Sequence, residues 1–382
     1  SRTGELLYWC IDCVSCYHCA FAQDCENCSD SVFLKNCIGC KHCLMCSNLK
    51  NKEYYVENKP VRKEEFEQFR TLLGSSARLQ SAKERFEKLK LEYPQKYMHG
   101  VQNEDVVGDY LTNCKRAEFC FDSPDLWDCK YVHQAFGDMK NSQDIQECGE
   151  ADWCYESAFG GYATNNMHFC VHNLGGQVDM FYCMHSPHSK NLFGCVGCRH
   201  KEYCILNKQY SKDEYEKLVA RIIDHMLHTK EFGEFFPIEL SLFPYNLTLA
   251  QDYFPLTREE VLKNGWKWFD EESTHEKYLG PAVEILDDIS DVEDGICEKI
   301  LRCSCNRLYK IIPQELRLYK SMQFPLPRQC FHCRHRERFL QRNPRPLYDR
   351  ACYKCGAPFK TTYSPKRSER IYCERCYVET MY

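Results

Sequence analysis

Hydrophobic positions recur along the first part of the chain in steps of twelve. Cys13, Cys25, Cys37 and Leu49 are spaced that way, as are Cys16, Cys28 and Cys40, and Phe21, Phe33 and Met45 keep the same step. Phe169, Phe181 and Phe193 repeat it later with Cys183 and Cys195, although Cys170 slips by one. An aromatic followed by cysteine also recurs outside that register, at Phe119-Cys120, Trp153-Cys154 and Tyr203-Cys204. A twelve-residue unit is too short for a βαβ or helical repeat. It fits one coil, or half a coil, of a β-solenoid, in which equivalent positions stack into ladders. Cysteine serves there as a small, readily buried hydrophobe beside a column of aromatics, and the intervening Gly, Asn and Asp supply turns.

A longer duplication overlies this period. The stretch CSNLKNKEYYVENKPVRKEEFEQF from Cys46 realigns with CVGCRHKEYCILNKQYSKDEYEKL from Cys195 at a constant offset of 149 residues, matching Lys52 with Lys201, Tyr54 with Tyr203 and Asn58 with Asn207. Helical periodicity follows each copy. After the first, Leu79, Ala82, Phe86, Leu89 and Tyr93 form one face; after the second, Ser211 and Glu214 make a capping box ahead of Tyr215, Leu218, Val219, Ile222 and Met226. These helices are expected to cap the open solenoid ends, which otherwise expose unpaired strand edges. A short helix opens at Thr257 and Glu260 and stops at Gly265, and ILDDISDVEDG reads as a linker.

The predicted class is mainly β: two short-repeat β-solenoid-like units with capping α-helices, followed by tandem zinc ribbons. The first solenoid unit spans 1–60, a helical segment 61–95, the second unit 96–210, a capping helix and acidic linker 211–295, and the tandem zinc-ribbon domain 296–382.

Chemistry is most legible at the end of the chain. Cys352-x-x-Cys355, seventeen residues, then Cys373-x-x-Cys376 is the spacing of two knuckles that meet as a tetrahedral four-sulfur site. Cys303-x-Cys305, twenty-four residues, then Cys330-x-x-Cys333 is a second candidate with one tighter knuckle. Cys297 could replace one of its members, and the four pairs could interleave. Two structural Zn²⁺ are the implied cofactors, closed to substrate. The twenty cysteines between Cys10 and Cys204 are open to several readings: buried thiols, further zinc, disulfides or an iron–sulfur cluster.

Composition and charge add partners. The chain has 382 residues, 43% of them hydrophobic and 27% charged, and no apolar run approaches the ~20 residues of a spanning helix. No charged-then-apolar leader is legible, and free thiolates favour a reducing compartment, so a cytoplasmic protein without a membrane partner is expected. From Ile296 onward 19 Lys and Arg face 7 Asp and Glu, a surplus of 12; with −5 overall, the preceding residues carry −17. A basic tail on an acidic body points to a polyanion, or to a clamp between the halves, and leaves room for a protein partner on the acidic body. Arg334, Arg336, Arg338, Arg342, Arg345, Arg367 and Arg370 lie among Phe and Tyr, a composition suited to phosphates and unpaired bases.

The segments KIIPQELRLYKSMQFPLPRQCFHCRHRERFLQRNPRPLY, TTYSPKRSERIYCERCY and NKQYSKDEYEKL resemble uncharacterised cysteine-rich, zinc-ribbon-ended repeat proteins predicted from uncultivated bacteria. The likeness runs along nearly all the chain and implies no activity. The reading leans to a non-enzymatic zinc protein that engages RNA or DNA through its tail. The alternatives are a metal-dependent nuclease built on His172, Asp179, His185 and His188, and a cysteine-based redox or metal-cluster protein.

Overall fold

A computed structural model of the protein describes residues 3–270 and 283–381; residues 271–282, within the expected linker region, lie outside the described residues. The architecture is mainly β. Most of its strands are parallel and pair with the segment one repeat further along the chain. Ala20–Gln23, Val32–Lys35, Lys41–Ser47 and Glu53–Val56 are joined at a step of twelve, as in Ala20↔Val32 and Val32↔Leu44. Single bridges from Glu5↔Tyr17 to Ile38↔Lys50 keep that step between the strands.

The backbone explains the period. From Thr3 to Glu57 every third residue has φ near +50 to +60°, Gly39 included. Four left-handed corners therefore divide each twelve-residue rung into three-residue sides, and the residue after each corner points inward. A left-handed residue with a Cβ costs roughly 1–2 kcal/mol. The ladder offsets this, since each side donates and accepts between rungs (Tyr8 N to Cys19 O, 3.0 Å; Phe21 N to Tyr8 O, 3.0 Å) and buries one side chain. Every inward cysteine from Cys13 to Cys46 is at most 2% exposed. Each thiol donates to the carbonyl two residues back, and eight of the nine donate also to one nine residues on, as Cys13 does to Ile11 (3.3 Å) and Ala22 (3.5 Å).

A second stack runs from Gly100 to Ile205. Its step varies: 11 at Glu104↔Lys115, 12 at Gly108↔Cys120 past a bulge, and 13 at Leu126↔Met139 and Asn165↔Val178. The one-residue slip at Cys170 is such a thirteen-residue rung. Leu126–His133 and Thr164–Val171 each run past a corner and pair with two short strands, which closes a ring of six parallel strands with Met139–Lys140, Gln143–Gln146, Ala151–Asp152 and Tyr155–Ala158.

The duplication marks where each stack ends. In both copies the last strand folds back on a two-residue strand, Lys59–Pro60 or Lys208–Gln209. Asn58 accepts from Ser47 N and donates to Ser47 O, both at 2.8 Å; Asn207 does the same to Val196, also at 2.8 Å. The amide side chain supplies the donor and acceptor that a further rung would have supplied. Asn is suited to this because it also tolerates φ of 61° and 66°.

Helices α1 (Lys63–Thr71) and α2 (Ser76–Glu92) cover the aromatic column of the first stack, with Phe86 on Phe33 and Phe66 on Tyr54. Helix α3 (Lys212–Thr229), closed by the expected Ser211–Glu214 box, covers Phe193 and Ile205 of the second. The helices thus lie along the flanks, while the hairpins and asparagines occupy the ends. Short α4 (Leu249–Tyr253) and α5 (Arg258–Lys263) follow. The tail adds α6 (Pro313–Met322), α7 (Phe331–Phe339) and α8 (Glu374–Met381). It shares a core with the first stack: Leu316, Tyr319, Met322 and Phe324 pack with Ala20, Phe33 and Leu44. Its strand Ile371–Tyr372 pairs with Gln95–Lys96. Among the described residues, no helix is long and apolar enough to cross a membrane.

Asn58→Gly keeps the left-handed backbone but orphans the fully buried Ser47, so unfolding by urea is expected to become easier by about 1–3 kcal/mol. Asn207→Gly is expected to cost less, because Val196 is 55% exposed and water can replace the amide. Equal losses would contradict the capping role.

Candidate metal centres

Both four-cysteine groups are assembled in the same way, from a hairpin knuckle and a helix start. Cys303 and Cys305 sit in the turn between strands Leu301–Arg302 and Leu308–Tyr309, which Asn306 closes with φ of 69° and a bond to Cys303 O (2.9 Å). This turn is why a single intervening residue suffices. Cys330 precedes α7 and Cys333 lies in its first turn. Cys352 and Cys355 flank the turn between Tyr348–Ala351 and Pro358–Thr361; Gly356 (φ 76°) donates to Cys352 O at 2.9 Å. Cys373 and Cys376 stand at the start of α8.

Within each quartet all four sulfurs lie within 4.8 Å of one another. Cys303 and Cys333, and Cys305 and Cys330, are 3.7 Å apart, and Cys355 and Cys373 are 3.8 Å apart. A tetrahedral cage with metal–sulfur bonds of 2.3 Å has an edge of about 3.8 Å, so the donor sets fit a zinc-sized thiophilic ion with no position left open. The pairs combine in sequence order, and Cys297 stands apart, packed on the core shared with the first stack. Burial opposes ionisation of Cys303 and Cys352, but backbone amides, those of Cys305 and Cys330 and of Cys373 and Cys355, bring both thiols down to about 6. By contrast burial pushes Cys120 and Cys148 in the second stack up to about 12. Those remain protonated packing groups, and all 29 cysteines are free of disulfides.

The seven arginines are divided. Arg334 is buried, donating to Glu315 (2.7 Å) and the Tyr319 hydroxyl (2.9 Å). Arg338 lies 5.2 Å over the Trp9 ring. Arg342 bridges the two stacks, bonded to Asp12 at 2.9 Å and to Asp122. Arg345 is buried on Tyr253, 3.5 Å from its ring centre, and donates to His133 Nδ1 (3.0 Å) and Asp122 (3.3 Å). Arg367 joins Asn343 (2.6 Å) and Glu369. Arg336 and Arg370 are exposed.

Around Arg342 a cleft of about 670 Å³ opens between the stacks, and composition alone did not single out its residues. Asp12, Asp24 and Asn36 are successive corners of the first stack; Tyr110, Asp122 and Gln134 are corners of the second, also twelve apart. Polar residues at the repeat period were the available signal. Behind them His99 sits between Asp24 (3.4 Å) and Asp109 (3.0 Å), and Lys35 pairs with Asp24. Burial alone would raise the Asp24 carboxyl, but Lys35 and His99 hold it well below the usual range. Burial would lower His99, and the two aspartates carry it well above an ordinary imidazole.

The residues of the nuclease alternative are not gathered. His172 stacks on His185 (5.0 Å), His188 on His200 (5.2 Å), and Asp179 accepts from Asn166 (2.6 Å). Among the described residues, only the two cysteine quartets group as metal-holding sets. No family model, curated protein or solved structure matches the chain.

Elemental analysis of the full chain is expected to find about two zinc ions, falling to about one in Cys376→Ser. Because the tail shares the first stack's core, chelation is expected to lower the unfolding midpoint of the whole first half. A tail released with no change in that midpoint would refute the coupling. A second expectation concerns His133, which burial and then Arg345 lower to about 4. The unfolded imidazole, near 6.5, takes its proton first, so this group's contribution is complete above about 6.5 and is lost as pH falls toward 4. Urea midpoints should decline over that window less steeply in His133→Gln than in the parent.

Proposed function

We propose that the chain is a non-enzymatic, cytoplasmic zinc protein in which two short-repeat β-solenoids, held by two structural Zn²⁺, present a nucleic-acid-binding face on the second zinc ribbon. The observation that carries this reading is an aromatic pair on that ribbon, one ring exposed and the other half-buried. Tyr353, 67% exposed, lies parallel to Tyr372 at 6.4 Å and 10°, and Arg370 stands 5.8 Å over Tyr353. Lys354, next to Tyr353, and Arg375, at the start of α8, are exposed. Exposed rings accept stacked bases of any sequence, and flanking cations neutralise phosphates, which favours single strands of RNA or DNA. Phe331, 60% exposed and stacked on His335 near Arg336, offers a smaller platform of the same kind on the first ribbon.

The other five arginines support a second role for the tail's positive charge. Arg342 and Arg345 neutralise acidic corners of both stacks, so much of the surplus is spent inside the molecule. The nucleic-acid contact therefore narrows to Arg336, Arg370 and the rings beside them.

Fluorescence anisotropy of the full chain with mixed-sequence single strands should give affinity that falls linearly in log salt. Tyr353→Ala should weaken binding by roughly 1–3 kcal/mol, the worth of one stacked base, and Arg336→Ala should reduce the salt slope by about one. Absence of salt-sensitive binding to either polymer would overturn the reading.

A further inference from the structure

The two stacks solve the same packing problem with different atoms. In the second, eleven of the twenty buried interior residues are Leu, Ala, Val, Ile or Met, among them Leu111, Leu126, Val132 and Met139, and nine are cysteine. In the first, ten of the thirteen inward positions from Cys10 to Cys46 are cysteine, the exceptions being Ala22, Ser31 and Leu34. The second stack shows that this backbone accepts ordinary apolar side chains. Packing alone therefore leaves the first stack's higher share of sulfur unexplained.

These sulfurs form a connected lattice. Cys13, Cys16, Cys19, Cys25, Cys28, Cys37, Cys40, Cys43 and Cys46 pack in one buried cluster with Cys10 against it. They occupy inward positions three residues apart along a rung and twelve apart between rungs, so most have two or three others as nearest inward neighbours. Among the described residues, no three of them lie mutually within the 4.8 Å that the tail quartets satisfy. The lattice therefore does not offer the tetrahedral cage that zinc prefers, but it does offer sulfur neighbours in pairs, each shared with the next pair. A soft d¹⁰ monovalent ion, which accepts two thiolates and tolerates thiolates that bridge, matches that connectivity.

We propose that the interior of the first stack takes up Cu(I) as a thiolate-bridged cluster. Each Cu⁺ forms bonds to two sulfurs, each sulfur bridges two ions, and one S–H bond breaks for every ion bound, releasing its proton to solvent. Copper is +1 before and after, and no sulfur is oxidised. One ion per thiolate leaves the cluster neutral, as an apolar interior requires. Cys10, half-buried where the other nine are buried, is the outermost thiol and the entry point.

The test is an anaerobic titration of the full, zinc-loaded chain with Cu(I) against a chromophoric Cu(I) chelator, following proton release, zinc content and the emission of solvent-shielded Cu(I)–thiolate clusters. Several copper ions per chain, one proton for each, both zinc ions retained and emission present is the expected result. Cys25→Ala with Cys28→Ala, at the centre of the lattice, should lower the stoichiometry and quench the emission, whereas Cys114→Ala with Cys120→Ala in the second stack should change neither. Copper that binds only by displacing zinc, or no uptake by the parent protein, overturns the proposal. So does uptake unchanged in a folded Cys25/Cys28 variant. Should that variant fail to fold, X-ray absorption of the copper-loaded parent decides the matter: sulfur ligation with short copper–copper contacts supports the cluster, and nitrogen or oxygen ligation sinks it. The outcome is independent of oligonucleotide binding.

Discussion

Everything in this molecule depends on a backbone that turns through a left-handed corner at every third residue and hydrogen-bonds to itself twelve residues later. Such corners are unfavourable one at a time, and here they fall on Phe, Tyr, Trp and His as well as on Asn and Asp. They persist because each rung templates the next: a residue that left the left-handed region would break bonds to the rungs on both sides and expel a buried side chain. The cost is local and the compensation is collective. The same constraint dictates the composition. With sides of three residues the interior is narrow and each side buries one apolar or small side chain, while the corner positions stack outward into columns of rings or polar groups.

The tail uses a different device. Its strands are two to four residues long, its apolar side chains join the first stack's core, and its two sulfur quartets are placed to hold metal ions. Each ties a hairpin to the start of a helix. One of those helices, α7, leads directly to Arg342 and Arg345, which reach the acidic corners of both stacks. The first cysteine quartet and the docking of the tail on the body are therefore parts of one continuous segment, and Arg342 lines the cleft between the stacks.

Much of this was legible beforehand, and for identifiable reasons. The twelve-residue period survives in sequence because a parallel stack repeats the same environment at the same interval, so Cys13, Cys25 and Cys37 meet the same demand. The C-x-x-C spacings report ligand geometry that is local to a turn, and the Ser211–Glu214 box is local to one helix start. The thirteen-residue rungs were less visible, since one added residue in a side shifts every later position and hides the register around Cys170. The asparagines that end each stack were seen as a matched pair, but the bidentate bond that gives them their purpose joins residues eleven apart.

What the amino-acid order determined by itself was short-range: the repeat step, the helix starts, the knuckles, and the opposite charges of body and tail. The destination of those charges was decided only in three dimensions. Arg334, Arg342 and Arg345 are indistinguishable in sequence from Arg336 and Arg370, yet the first three are consumed by Glu315, Asp12 and Asp122 while the other two face water. The physical reason is that an arginine's partner is set by which surfaces the fold brings within about 4 Å, and that distance depends on contacts between residues hundreds of positions apart.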